Sequence, residues 1–130
     1  MGMVQPGPES VDSLYEGYFM DHVTGYRYAD RYLAGFTQTH LNGVGCPSMS
    51  DILLMPWCGR EIAGTERGAF RSEYDKTSEV ASPGYYAVRL EDNRTQVELT
   101  ATRRVACHRY RFDDPATARV LVDLQYGVAW

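Results

Sequence analysis

The second half of the chain constrains its fold more than any other part. Residues 85–90, 96–102, 105–112 and 119–124 are strand-length runs, separated by turn-forming segments such as EDNR at 91–94 and DDPA at 113–116. Side chains alternate across a strand. In VACHRYRF (105–112), Val105, Cys107, Arg109 and Arg111 therefore share one face, and Ala106, His108, Tyr110 and Phe112 the other. The second face is the apolar one. This pattern predicts an all-β fold, an antiparallel β-sandwich with little helix, in which residues 85–124 form a meander on one sheet. The first half is less regular. Residues 11–18 carry weak helical spacing through Val11, Leu14, Tyr15 and Tyr18, and residues 35–39 and 51–55 read as strands.

At 130 residues and 14.7 kDa the chain has room for one compact domain, 1–130, and shows no internal repeat or linker. A hydrophobic fraction of 44% and a charged fraction of 23% are globular values, which argues against disorder. Net charge is −4 and no basic block occurs, so nucleic acid is not an expected partner. No apolar run reaches the length of a membrane span, and MGMVQPGPES at the N-terminus has no apolar core of a signal peptide. Ten tyrosines suit half-buried strands and also carbohydrate clefts, where a ring packs on sugar C–H groups. Cys46, Cys58 and Cys107 lack the paired spacing of a structural zinc site, and a Cys46–Cys58 bridge stays open.

Between the first two predicted strands lies THLNGVGCP, residues 39–47. Glycines at alternate positions let backbone N–H groups approach a ligand without an intervening Cβ. A plain turn and a ligand-facing loop are both compatible with the segment. His22 reads as a packed or surface residue, and His108 as a hydrogen-bonded core histidine. A Cys46–His40 nucleophile pair lacks a third, orienting residue, and a small buried Cys46 is the simpler reading. Glu9 with Asp12, and Asp113 with Asp114, read as solvated carboxylates in turns. The NRT segment at 93–95 matches an N-glycosylation acceptor.

Five segments in order carry a more specific signal: GMVQPGP (2–8), GYRYADRYLAGFTQTHLNGVGCPSMSDILLMP (25–56), EVASPGYYAVRL (79–90), VELTATRRVACHRYRF (97–112) and VLVDLQYG (120–127). They resemble the N-terminal β-sandwich domain of glycoside hydrolase family 92, calcium-dependent exo-acting α-mannosidases. The GCP form of the loop resembles that of members cleaving α-1,2-linked mannose. Two stretches depart from the family pattern. FTQTHLNG (36–43) replaces the usual FSHTHLSG, placing Gln38 where a histidine is common and Asn42 where a serine is. YFMDHVTGY (18–26) lacks the tryptophan common there.

The resemblance implies a supersandwich-like domain, incomplete here, whose 39–47 loop reaches a cleft shared with a much larger (α/α)6-barrel domain. It assigns substrate binding to His40, Asn42, Gly43, Gly45, Cys46 and Glu79, and no catalytic or metal-binding residue to this chain. The inverting chemistry needs a carboxylic acid, a carboxylate base and calcium. In the family these belong mainly to the barrel, which lies beyond these 130 residues. Calcium is thus expected in the full-length enzyme, with no cofactor in this chain. The expected partners are a mannose-containing glycan and the barrel domain. Secretion or a periplasmic location is expected for the parent enzyme. The expected function is that of the carbohydrate-contacting part of an exo-α-mannosidase, inactive alone. The alternatives are a free-standing mannose-binding module without hydrolysis and a structural remnant without ligand. Self-association through a surface normally covered by the barrel is expected, with Trp57, Tyr26, Tyr28 and Tyr85 as its rim.

Overall fold

The structure, a computed structural model, describes residues 4–11, 25–40, 50–59, 61–62, 64 and 69–126. These contain strands β1 (Gly7–Val11), β2 (Tyr32–Thr37), β3 (Leu53–Trp57), β4 (Ser72–Ser82), β5 (Tyr85–Leu90), β6 (Thr95–Ala101), β7 (Ala106–Phe112) and β8 (Arg119–Asp123), with a single 3-10 turn at Pro115–Thr117. All pairings are antiparallel, and the sheet curls into a half-barrel in the order β7-β6-β5-β4-β2-β3-β8, with β1 on β2. The expected all-β class is the one the chain adopts. Among the described residues no helix is long and apolar enough to cross a membrane.

The predicted alternation holds through β5, β6 and β7. Val88 faces Val97, which faces Tyr110, and Leu99 faces His108 on the same inner side. Leu33, Phe36, Met55, Tyr74, Val88, Leu90, Val97 and Leu99 form the buried core, with Tyr26, Phe70, Tyr86, Tyr110 and Leu121 packed against it. Each such aliphatic or aromatic side chain contributes roughly 1.5–3 kcal/mol on burial.

Strand β2 is the fork of the fold. β1 runs along one edge of β2, while the other edge is shared by β4, at Tyr32 and Leu33, and β3, at Phe36. Gly35 sits at this fork. A Cβ there would lie 2.8 Å from both the Leu53 side chain and the Leu54 carbonyl oxygen, so only glycine lets β3 approach.

Strand β8 departs from the expected meander. It crosses to the far edge and pairs along its length with β3, from Leu53 opposite Asp123 to Trp57 opposite Arg119. The 3-10 turn redirects the chain there. Its start is capped by Asp114, whose carboxylate accepts from the Ala116 N–H at 3.0 Å. Trp57 is a second correction, because it is buried and meets Phe70 edge-on instead of forming an exposed rim. Cys58 is a free buried thiol, which removes the Cys46–Cys58 bridge.

Candidate functional site

The site begins with an irregularity in β4. Asp75 pairs with Arg89 and Val80 with Ala87, so residues 76–79 oppose Val88 alone. An extended bulge results, and bulges re-aim side chains. Local hydrogen bonds hold it. The Asp75 carboxylate accepts from the Thr77 N–H at 2.8 Å and hydroxyl at 2.7 Å, which pulls its carboxyl below the usual range. The Ser78 hydroxyl donates to the Asp75 carbonyl at 2.6 Å and accepts the Arg89 N–H at 2.8 Å, replacing the ladder bond that the bulge interrupts.

The bulge aims Lys76 and Glu79 into a cleft of about 460 Å³, lined also by Pro8, Tyr26, Tyr28, Ala81 and Tyr86. Glu79 Oε1 accepts from the Tyr26 hydroxyl at 2.8 Å and the Tyr86 hydroxyl at 2.7 Å, and Oε2 lies 2.9 Å from the Tyr26 hydroxyl. Burial and then the bond to Glu79 push both phenols far above their ordinary value, so both remain donors. The Lys76 ammonium donates to the Tyr28 carbonyl and sits 4.9 Å from the Tyr28 ring centre and 5.4 Å from that of Tyr74.

A second cluster is linked to the first through the backbone. Pro8 lines the cleft, while the next residue, Glu9, is buried beside His40. Glu9 Oε1 accepts from Thr37 Oγ1 at 2.6 Å and from His40 Nε2 at 2.8 Å. His40 Nδ1 reaches the Gln5 carbonyl oxygen at 2.8 Å. Gly25, at φ +80°, passes so close that a Cβ would lie 2.3 Å from the Glu9 carboxylate, and Tyr26 next to it lines the cleft.

Of the six residues expected to bind substrate, the structure places Glu79 in the cleft and His40 outside its lining, with both ring nitrogens bonded within the chain. Asn42, Gly43, Gly45 and Cys46 lie outside the described residues, as do His22 and Asp12. Glu9, read as a solvated carboxylate, is instead buried. Asp113 pairs with Arg89, its Oδ1 accepting from Arg89 Nη1 at 2.9 Å, and Asp114 serves as the cap described above. Tyr28, expected in the rim of a partner-covered surface, lines the cleft, whereas Lys76 escaped notice in the sequence. The available signal was Asp75-Lys76-Thr77, an aspartate poised to bond the backbone two residues on inside a strand. The acceptor asparagine of NRT is fully buried, and its Nδ2 donates to the Pro56 carbonyl at 3.0 Å.

Calcium takes six to eight oxygen ligands. Among the described residues no group of three or more His, Cys, Asp or Glu side chains is placed to share an ion. The carboxylates of Glu9 and Glu79 already accept from histidine, threonine and tyrosine donors. The described residues therefore do not fit a calcium cage of their own.

The profile of the glycosyl hydrolase family 92 N-terminal domain matches residues 1–130. This chain belongs to that family. The family 92 α-mannosidase BT3965 from Bacteroides thetaiotaomicron, solved with mannoimidazole, is 31% identical over 95% of this chain, with a TM-score of 0.81. The family 92 glycosyl hydrolase ccman5 is 27% identical over 97% of it, with a TM-score of 0.76. The inverting mannosidase BT2199, also from Bacteroides thetaiotaomicron, shares the fold at 24% identity over 94% of the chain, with a TM-score of 0.70. No curated protein matches. This family 92 N-terminal domain spans 16% of the BT3965 chain and 17% of the ccman5 chain. Its cleft and its Glu9–His40 pair are joined by two pairs of successive residues, Pro8 with Glu9 and Gly25 with Tyr26.

Proposed function

We propose that the chain is the N-terminal, carbohydrate-contacting part of an exo-α-mannosidase that removes terminal, α-1,2-linked mannose from glycans by inversion, and that it is inactive alone. The likeness to BT3965, an α-mannosidase solved with mannoimidazole, supports the substrate class. One observation carries the inactivity. Inversion needs an acid and a base flanking the glycosidic bond, about 6.5–9.5 Å apart, and among the described residues Glu79 is the single carboxylate lining the cleft. The acid, the base and most calcium ligands then belong to the part of the family enzyme that this chain does not span, and the parent enzyme is exported.

The test compares mannose release from α-1,2-mannobiose, with calcium, by the chain alone and by the chain expressed with the coding sequence that follows residue 130. Release by the longer form only is the expected result. Calcium-dependent turnover by the chain alone, abolished by a substitution within it, would place the active site here. Tight, saturable mannose binding without hydrolysis by either form would favour the free-standing binding module.

A further inference from the structure

We propose that the cleft at the β4 bulge is a site for one neutral hexose ring, which rests its C–H face on Tyr28, donates hydroxyls to Glu79 and accepts from Lys76. The inference rests on the carbohydrate-contacting reading above, and adds Tyr28 and Lys76 to it as contact residues.

Four observations carry it. First, Tyr28 is 66% exposed at the cleft wall, yet its backbone carbonyl accepts from Lys76 and its ring lies against the same ammonium. The ring is therefore a fixed apolar surface open to a ligand, and aromatic rings of this kind contribute large contact area at low entropic cost. Second, the Tyr26 and Tyr86 hydroxyls converge on Glu79 Oε1, while among the described residues Oε2 meets Tyr26 alone. A carboxylate offers about four acceptor sites, so acceptor capacity remains for ligand hydroxyls on Oε2.

Third, among the described residues the cleft lining holds one cation, Lys76, and one anion, Glu79. A phosphorylated ligand meets the Glu79 charge, and an ammonium ligand is repelled by the Lys76 ammonium held near the Tyr28 and Tyr74 rings. A neutral polyol uses both, as donor to one and acceptor from the other. Fourth, the volume of about 460 Å³ falls within the roughly 300–1,000 Å³ of small-molecule sites.

Titrating the 15N-labelled chain with mannose, α-1,2-mannobiose, mannose 6-phosphate and glucosamine while following its amides by NMR tests the assignment. The two neutral sugars should give saturable shifts centred on Tyr28, Lys76, Glu79 and Tyr86, with a Kd of about 1 mM or weaker. Tyr28→Ala and Glu79→Gln should each weaken binding about tenfold or more, and the charged sugars should bind about tenfold more weakly than mannose. Because the Tyr28 ring is exposed, Tyr28→Ala should leave the remaining amides in place, so a lost titration reports a lost contact. Saturable shifts centred elsewhere, no saturable shift with either neutral sugar, or undiminished binding by Tyr28→Ala would overturn the site. If the longer chain releases mannose while this cleft stays silent, the cleft assignment alone fails. If the cleft saturates but the longer chain cleaves no mannoside, the mannosidase reading fails and the cleft stands.

Discussion

His40 Nε2 and Glu9 Oε1 lie 2.8 Å apart, with the two side chains only 7% and 3% exposed. The other ring nitrogen lies 2.8 Å from the Gln5 carbonyl oxygen, and a carbonyl and a carboxylate, as acceptors, both favour the protonated ring. Burial pulls the His40 pKa down, but the bond to Glu9, its charge and the Gln5 carbonyl outweigh this and leave it raised above 6.5. The sign follows from linkage. A raised folded value contributes stability that is fully present below pH 6.5 and lost as pH rises through the folded value. Removing one partner of a buried pair strands the other, at about 3–5 kcal/mol. His40→Ala should lose about that much stability in urea at pH 6, and less on the alkaline side. An equal loss at every pH would show that the ring is not charged.

His108 has the opposite sign. Gln38 Nε2 points at the carbonyls of Phe36 and Ile52, so its Oε1 accepts the His108 Nε2–H at 2.9 Å, and His108 Nδ1 accepts the Tyr110 hydroxyl at 2.8 Å. Burial alone lowers the His108 pKa below 6.5. The unfolded chain then takes up the proton first, and stability falls as pH drops below 6.5 towards the folded value. 15N NMR near pH 7 should show a neutral ring protonated on Nε2. Gln38→Ala, which strands that N–H, should cost about 1–3 kcal/mol. A ring protonated on Nδ1 would contradict the arrangement.

Asn93 ties the β5–β6 turn to β3 through the Pro56 carbonyl, with its side chain out of solvent. Asn93→Ala should destabilise the fold by about 1–3 kcal/mol, because a buried acceptor loses its donor. Thermal unfolding checks this. An unchanged midpoint would mean that water or another donor replaces the amide.

The bulge depends on Ser78. Ser78→Ala should cost about 0.5–1.5 kcal/mol and speed hydrogen exchange at the Arg89 amide, whose acceptor is the Ser78 hydroxyl. Unchanged exchange at Arg89 would show that the amide is protected by something else.

The alternating strands were legible in the sequence, and the predicted 85–90, 96–102, 105–112 and 119–124 lie within a residue of β5 to β8 at each end. There, one face is buried and the other wet. Strand β4, the longest, left no such trace, because SEYDKTSEVAS contains the bulge that breaks the period and exposes polar residues on both sides. The place of β8 was hidden for another reason. RVLVD reads as a strand wherever it pairs, and its choice of the β3 edge over β7 is decided by tertiary packing. Glu9 was misread because nothing in GPESV announces that His40 will close over it. Glu79 was reached through family resemblance alone, whereas its tyrosine donors Tyr26 and Tyr86, 53 and 7 residues away, meet it only in the fold.

The central claim is that this domain contacts the sugar while the proton-transferring groups lie elsewhere in the enzyme. Steady-state mannose release by the longer chain and by its Glu79→Gln form tests it most directly. A contact residue should raise KM and lower kcat/KM by about tenfold, about 1.4 kcal/mol, and leave substantial kcat. Loss of kcat by many orders of magnitude with KM unchanged would make Glu79 part of the acid–base machinery and contradict the account.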